Sequence, residues 1–516
     1  MAIQVSGTEV ISNARALTNV ASIDATTAAS ITAAGVGGGG SRTFTASGSI
    51  TAGQPVGIVS TNTVAQITSG IWGTPAYVDA SINTMNVCYA YDSANQKVAA
   101  FWLNSDNQQT LYAKIGTMST SGVVTWGSTS TIGTITNYVE TGNMMAAFAS
   151  SGNLVIAYSD INERALYGRV ATVSGTTLSW GSTTLIATAY PNTAIYYISY
   201  AWNAYHQKIV AFYNYGSSNL YSTVAGVSGT TITAGARQGP YGTGYAYNSA
   251  SAGNTSNGQH LVVYSDNGLG NRAIIRVATI SGNSLTLGAV NNTDVPMSNG
   301  QTAKFAAVQY DVNTGRYLVV VVGSSATAGT WGMNVSVSGT TATVEAGLQV
   351  YNSTSTKTVC IAHDTSSGLF YVHTNHANQY GVYAALKMGS SSITASLSNI
   401  TEPVGVTGLV YSTVLQPVYV ANAGAILTGS NPKVAYNTFF SSSPMWGMVG
   451  IAEQTVSNGA SLDVTIIGGE NTNLSGLSAG STYAIDYNNG QIAPSSLSPL
   501  YLATTATSAI IIRGGF

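Results

Sequence analysis

Seven short apolar cores recur along this 516-residue chain at nearly constant spacing, and no other feature narrows its fold so far. They read Lys97-Val-Ala-Ala-Phe101, Leu154-Val-Ile-Ala-Tyr158, Lys208-Ile-Val-Ala-Phe212, His260-Leu-Val-Val-Tyr264, Tyr317-Leu-Val-Val-Val321, Leu369-Phe-Tyr-Val-His373 and Ala425-Ile-Leu-Thr-Gly429. Successive starts lie 57, 54, 52, 57, 52 and 56 residues apart. A period of roughly 50 residues built from short strands points to a β-propeller, with one sheet per repeat around an axis. The seventh core is degenerate. A six-bladed ring, with Ala425 placed elsewhere, is therefore the rival to a count of about seven.

Each repeat carries the strands of a blade. Another strand precedes each core, as in Asn86-Val-Cys-Tyr-Ala-Tyr-Asp92, and ends on an Asp or, in the third repeat, Asn203. There a side chain can bond its own backbone and close a turn. A hairpin follows each core, with a Ser-Gly corner at Ser174-Gly175, Ser228-Gly229, Ser281-Gly282 and Ser338-Gly339. Gly supplies the positive φ such corners need. The cores are continuous apolar runs, which predicts an inner strand buried on both faces between neighbouring blades. Helix formers are scarce, so the fold class is all-β.

Only 7% of residues are charged, against about 25% in typical soluble proteins. The formal net charge of -2 leaves no basic surface to hold nucleic acid by counterion release. No apolar run approaches the ~20 residues of a membrane helix, so no membrane insertion is expected. The opening residues lack the basic and apolar regions of a signal peptide. Cys88 and Cys360 occupy equivalent places in the first and sixth repeats, too far apart around a ring for a disulfide, and are expected to be free and buried.

Outside the repeats, residues 1–40 are an Ala/Thr/Ser-rich segment ending in a Gly-rich joint. Its spaced aliphatics, Val10, Ile11, Leu17, Val20 and Ile23 among them, cannot bury a core alone, so the segment is expected to be disordered or packed on other chains, with anchoring and oligomerisation as its role. Residues 41–70 and 446–516 read as one small split β domain, with the propeller inserted over 71–445.

The opening Val5-Ser-Gly-Thr-Glu-Val-Ile-Ser-Asn-Ala-Arg-Ala-Leu-Thr-Asn-Val-Ala-Ser-Ile-Asp24 resembles the N-terminal segment of tailed-bacteriophage fibre and virion surface proteins. Ile50-Thr-Ala-Gly-Gln-Pro-Val56 and Gly476-Leu-Ser-Ala-Gly-Ser-Thr-Tyr483 are similar to a small β domain recurring in phage head-fibre and tail-fibre proteins. The resemblance covers roughly the outer quarter of the chain. It implies a virion component whose N-terminus docks on other virion proteins, often as a homotrimer, and whose distal domain meets the host. The propeller itself carries no Trp-Asp signature, kelch doublet or Asp-box.

Catalytic constellations are sparse. Glycan cleavage needs paired carboxylates in one pocket, and the candidates are Asp106, Glu140, Asp160, Glu163, Asp266 and Asp294. Asp160 and Asp266 follow their cores at matching positions, which favours a repeated turn role. His363, Asp364, His373 and His376 lack the spacing of a metal site on a strand, and Asp160-Ile-Asn-Glu163 lacks a full Ca2+ ligand series. The expectation is a chain that is not an enzyme, with no catalytic residue, metal or cofactor. Aromatics are the better lead. Tyr241, Tyr245 and Tyr247, in a Gly-rich loop, with Tyr213 and Tyr215, are the candidate ligand contacts, because Tyr suits the ring faces and hydroxyls of saccharides. The reading is a phage tail-fibre receptor-binding protein that meets a host surface glycan or protein. The alternatives are a capsid or tail decoration protein and a fibre-borne glycan hydrolase.

Overall fold

The computed structural model describes residues 3–5, 8–11, 40–67, 76–104, 106–107, 109–135, 144–160, 163–188, 195–215, 219–241, 246–266, 272–290, 303–323, 329–351, 356–376, 381–401, 414–416, 418–420, 425–430, 433–440, 448–466, 468–485, 492–494 and 501–511. The chain divides into two compact units, Met1–Gly70 with Ser443–Phe516, and Ile71–Ser442.

The 71–442 unit is a β-propeller. Blades 2 to 6 are separate antiparallel sheets whose strands follow chain order outward. Blade 2 is Met144–Phe148, Leu154–Asp160, Ala165–Ser174 and Thr177–Trp180; blade 3 is Ile195–Asn203, Lys208–Tyr215, Leu220–Ser228 and Thr231–Ala234. Blade 4 is Ala246–Gly253, His260–Asp266, Arg272–Ser281 and Ser284–Leu287; blade 5 is Ala303–Asp311, Arg316–Gly323, Thr330–Ser338 and Thr341–Tyr351. Blade 6 is Thr356–Asp364, Leu369–His376, Gly381–Met388 and Ile393–Thr401. The first strand of each blade packs beside the first strand of the next.

One long strand, Ala76–Asp92, serves two blades. Its second half opens blade 1 by pairing with Lys97–Asn104, and Thr110–Met118 and Val124–Trp126 continue that sheet outward. Its first half is the outer strand of blade 7: Val434 pairs with Asp79 and Tyr436 with Ala76. Blade 7 is completed by Val418–Val420, Ala425–Ser430 and Lys433–Phe440. The ring is thereby closed by chain from both ends of the unit.

The apolar cores are the second strands, not the innermost ones. The strand that precedes each core lies nearer the axis. Apart from end residues such as Lys97 and Arg316, the described second-strand residues are still buried, because such a strand has a sheet neighbour on each edge and a blade on each face; every residue of Leu154–Asp160 is buried. The seam between blades 1 and 2 gathers Phe101, Leu103, Leu111, Ile115, Met144, Leu154, Ile156 and Tyr158. Burial of side chains this size contributes about 1.5–3 kcal/mol each, so the interblade seams are the main source of stability.

The turns between first and second strands are tied by Asx side chains. Asp92 Oδ1 accepts from the amides of Ala94 and Asn95, Asn203 Oδ1 from His206, and Asp364 Oδ1 from Ser366 and Ser367. The chain then turns through a positive φ, at Gln96 (53°), Gln207 (53°), Gly315 (71°) and Gly368 (69°). Neither Cys88 nor Cys360 is in a disulfide, and both are buried. Burial, and then the neighbouring Cys360, push the Cys88 thiol well above its usual range.

The other unit holds a closed barrel of Ser41–Ala46, Ser461–Thr465, Met448–Ala452, Pro55–Ser60 and Thr63–Gln66. Phe44, Ala46, Ile50, Val56, Val64, Ala452, Leu462 and Val464 fill it. A second sheet contains Glu470–Asn471, Ala509–Ile511, Tyr501–Ala503, Thr482–Ile485 and Ile492–Pro494. Buried Asn471 joins the two, its Nδ2 donating to Thr465 Oγ1 at 2.9 Å and lying 3.3 Å from the Ala452 carbonyl oxygen. At the start of the chain, Ile3–Val5 pairs with Thr8–Ile11, which includes Val10 and Ile11. Leu17, Val20 and Ile23 lie outside the described residues.

Candidate functional site

The two faces of the propeller are built differently. One carries the Asx turns and the Ser-Gly hairpins, and the blades are cross-tied there. Asn203 Nδ2 donates to the Gly258 carbonyl at 2.8 Å, Asn153 Nδ2 to the Gly229 carbonyl at 3.1 Å, and Gln259 Nε2 to the Gly339 carbonyl at 2.7 Å. Asn313 Nδ2 donates to the Thr365 carbonyl at 2.9 Å, and Tyr317 OH to the Gln259 carbonyl at 3.1 Å. Five backbone carbonyls of this turn face are thus occupied by side chains of a neighbouring blade. The opposite, loop face receives the connections from second to third strands and from each blade to the next.

The acidic candidates sort by these faces. Asp160 and Asp266 end their second strands at the loop face and are buried. Asp160 Oδ1 accepts from the Glu163 amide at 3.2 Å, a turn role. The blade 1 counterpart is Asn104, whose Oδ1 accepts from the Asp106 amide at 2.8 Å. Glu163 Oε2 accepts from Tyr167 OH. Burial and this carboxylate hold the Tyr167 phenol well above its usual range, so it stays protonated. Glu140 and Asp294 lie outside the described residues.

The described candidates His363 and His373 do not converge, and the side chain of His376 lies outside the described residues. His363 Nε2 lies 3.4 Å from Asp311 Oδ1 across the seam of blades 5 and 6, with its ring stacked on Phe370 at 4.1 Å. His373 Nδ1 lies 3.4 Å from Cys360 Sγ, and burial lowers its pKa to about 4. No group of three metal-ligating side chains occurs among the described residues.

The tyrosine candidates divide. Tyr213 is fully buried with its hydroxyl 2.8 Å from Thr223 Oγ1, so it is a packing residue and is withdrawn as a ligand contact. Tyr241 is half-buried and held in place: its hydroxyl donates to the Leu285 carbonyl at 3.1 Å, and the Arg276 guanidinium lies 5.9 Å from its ring centre. Tyr215 and Tyr247 lie in strands Lys208–Tyr215 and Ala246–Gly253, and their side chains are outside the described residues, as is Tyr245 altogether.

A different set of aromatics stands at one repeated position. Tyr112, Tyr167, Tyr221 and Trp331 each lie at the loop-face end of a third strand, in blades 1, 2, 3 and 5, and each is half-buried. Their partners across the strand pair are Trp102, Tyr158, Tyr213 and Val321. Each packs at the edge of the seam with the preceding blade. Tyr112 stacks on Trp102 at 5.8 Å, Tyr167 lies tilted on Tyr158 at 5.8 Å, and the Arg237 guanidinium sits 5.2 Å over Tyr221. Blade 4 has buried Ile274 at this position; in blade 6 it falls on Val382, whose side chain lies outside the described residues. The sequence signal is the Leu-Tyr doublet at 111–112, 166–167 and 220–221. It was masked by the stronger apolar cores just before it.

No family model and no curated protein matches the chain. Solved propellers resemble it. The periplasmic gluconolactonase of Pseudomonas aeruginosa aligns at 12% identity over 62% of this chain and 85% of its own, with a TM-score of 0.44. The Cps50 (Swd1) β-propeller domain of Myceliophteria thermophila aligns at 9% identity over 70% and 98%, with a TM-score of 0.42. The fucose-binding lectin of Aleuria aurantia aligns at 11% identity over 63% and 99%, with a TM-score of 0.36. Likeness at this level concerns the fold alone, and the chain is an all-β propeller protein. One expectation is corrected by the comparison. A gluconolactonase is among the neighbours, so the fold is shared with enzymes and a scarcity of paired acids does not exclude catalysis. The expectation that the chain is not an enzyme is withdrawn.

Proposed function

We propose that this chain is an attachment protein of a tailed-phage particle, with the loop face of the propeller meeting a glycan or protein of the host surface. The observation that carries the reading is the difference between the two faces. Among the described residues, turn-face side chains make cross-ties between blades, while the loop face presents half-buried aromatics at equivalent seams. Aromatic rings beside hydroxyl and amide side chains suit a neutral, hydroxyl-rich partner. With 7% charged residues, the surface has little else with which to recognise one.

The phage resemblance of the opening segment and of the split β unit supports placement on a virion, with the N-terminus docked on other virion proteins and a homotrimer as the working assembly. Several copies raise effective concentration, so each propeller need bind only weakly. Adsorption competition tests the reading. Purified full-length protein is added to susceptible cells, and attached particles are counted. Saturable binding with reduced attachment is expected. Folded, oligomeric protein that does not touch the cells overturns it and favours a decoration role.

A further inference from the structure

We infer that Tyr112, Tyr167, Tyr221 and Trp331 are four equivalent subsites, one at the loop-side mouth of an interblade seam in each of blades 1, 2, 3 and 5, each stacking on the apolar face of a pyranose ring. The inference rests on the attachment reading and gives it a site and a ligand class.

Three observations lead to it. The residues share one register position, so the blade repeat places all four at the same height and on the same face. All four are half-buried, whereas the same position is sealed by buried Ile274 in blade 4. Three of the rings are pinned from behind, Tyr112 by Trp102, Tyr167 by Tyr158 and Tyr221 by Arg237. A ring already held on one side pays little ordering entropy when a flat ligand arrives.

The polar neighbours fit the same ligand. Beside Tyr167 the exposed Glu163 carboxylate already accepts one hydroxyl, from Tyr167 itself, and retains capacity for another. Asn107 and Thr110 lie at the start of the Tyr112 strand, bonded to each other at 2.8 Å. A sugar presents an apolar C–H face and a rim of hydroxyls, which is what a pinned aromatic with carboxylate, amide and hydroxyl groups around it can hold. Four weak subsites on one ring would bind a repeating polysaccharide far more tightly than a single sugar.

Saturation-transfer NMR on the full-length protein tests this, with methyl glycosides of glucose, galactose, mannose, N-acetylglucosamine, fucose and rhamnose as probes at millimolar concentration. Transfer to ring protons of at least one glycoside is expected. It should fall at least tenfold when Tyr112, Tyr167, Tyr221 and Trp331 are all replaced by Leu, which keeps the seams filled. It should stay within twofold when the three tyrosines become Phe, which keeps the rings. If the fourfold variant fails to fold, the four single Leu variants are read instead, each losing its share of the signal. No transfer to any probe, or unchanged transfer in folded Leu variants, overturns the inference. Cell binding that survives the Leu substitutions sinks the subsites and leaves the attachment reading standing. Sugar binding without cell binding does the reverse.

Discussion

Lys114 Nζ donates to the Val78 carbonyl at 2.8 Å and lies 3.8 Å from Asp79 Oδ2, so blade 1 holds the very strand that completes blade 7. Burial alone would raise the Asp79 carboxyl, but hydrogen bonds from Ser81 and Thr129, with Lys114 behind them, hold it below the usual carboxylate range. Closure of the ring thus depends on a charged hydrogen bond as well as on strand pairing. Lys114→Met keeps the aliphatic stem and removes the donor. A loss of about 1.5–3 kcal/mol is expected, read as a lower denaturant midpoint.

A second latch runs from blade to blade. The amides of Gly127, Gly181, Gly235 and Gly288 each donate to a third-strand carbonyl at 2.8 Å, and each glycine faces the next blade's hairpin. A Cβ on Gly235 would stand 2.1 Å from the Asn283 carbonyl oxygen, and one on Gly127 would stand 2.2 Å from that of Thr176. Neither approach tolerates a methyl group. Gly235→Ala should therefore cost about 1–3 kcal/mol or more, because backbone on both sides must move. Gly229→Ala is the comparison: φ is +58° there, but no atom lies within 4 Å of the new Cβ. Its cost should be the backbone strain alone, about 1 kcal/mol. Equal midpoints for the two variants would count against the latch.

These features show what could be read from the sequence. The blade period, the Ser-Gly corners and the Asx turns were legible because each is a local pattern repeated every blade. The latch glycines were not, even though Gly127-Ser-Thr and Gly181-Ser-Thr repeat, because their need for glycine arises from atoms of the next blade some 50 residues on. The closing strand was hidden for a related reason. Only Asn86–Asp92 stood out as a strand, and nothing local says that the chain before it is strand too or that Asp79 pairs with Val434. For the site, Tyr213 looked like an exposed loop tyrosine after Phe212. Its strand runs on to Tyr215 and buries it. Tyr167 was overlooked because it sits in an ordinary hairpin strand, and only the register shows that Tyr112 and Tyr221 share its place.

His260 sets an acid limit on the propeller. It is fully buried, and neither ring nitrogen has a hydrogen-bond partner among the described residues. Burial, with His206 adding a little, lowers its pKa from 6.5 to about 3. A histidine depressed in the folded state contributes stability that is complete above pH ~6.5 and is lost as pH falls toward the folded value. Each pH unit across that window should remove at most about 1.4 kcal/mol. Unfolding midpoints of native protein and His260→Leu between pH 7 and 4 should diverge, the native protein falling more steeply. Parallel curves would mean that His260 is not the titrating group.

Asp364 anchors its turn with both carboxylate oxygens. Oδ1 accepts from the Ser366 and Ser367 amides at 2.9 and 3.2 Å, and Oδ2 from Ser367 Oγ at 2.8 Å. Asp364→Ala should destabilise by about 1–3 kcal/mol, and Asp364→Asn by less, since one oxygen is kept. Thermal unfolding of the two variants beside the native protein checks the order.

The central claim is that this chain attaches a particle to its host through the propeller. Equilibrium binding of labelled full-length protein to susceptible cells, beside resistant mutants selected for failure to adsorb the particle, tests it most directly. Saturable binding to the susceptible cells and none to the mutants is the expected result. Equal binding to both, or binding to neither by folded protein, would contradict the account.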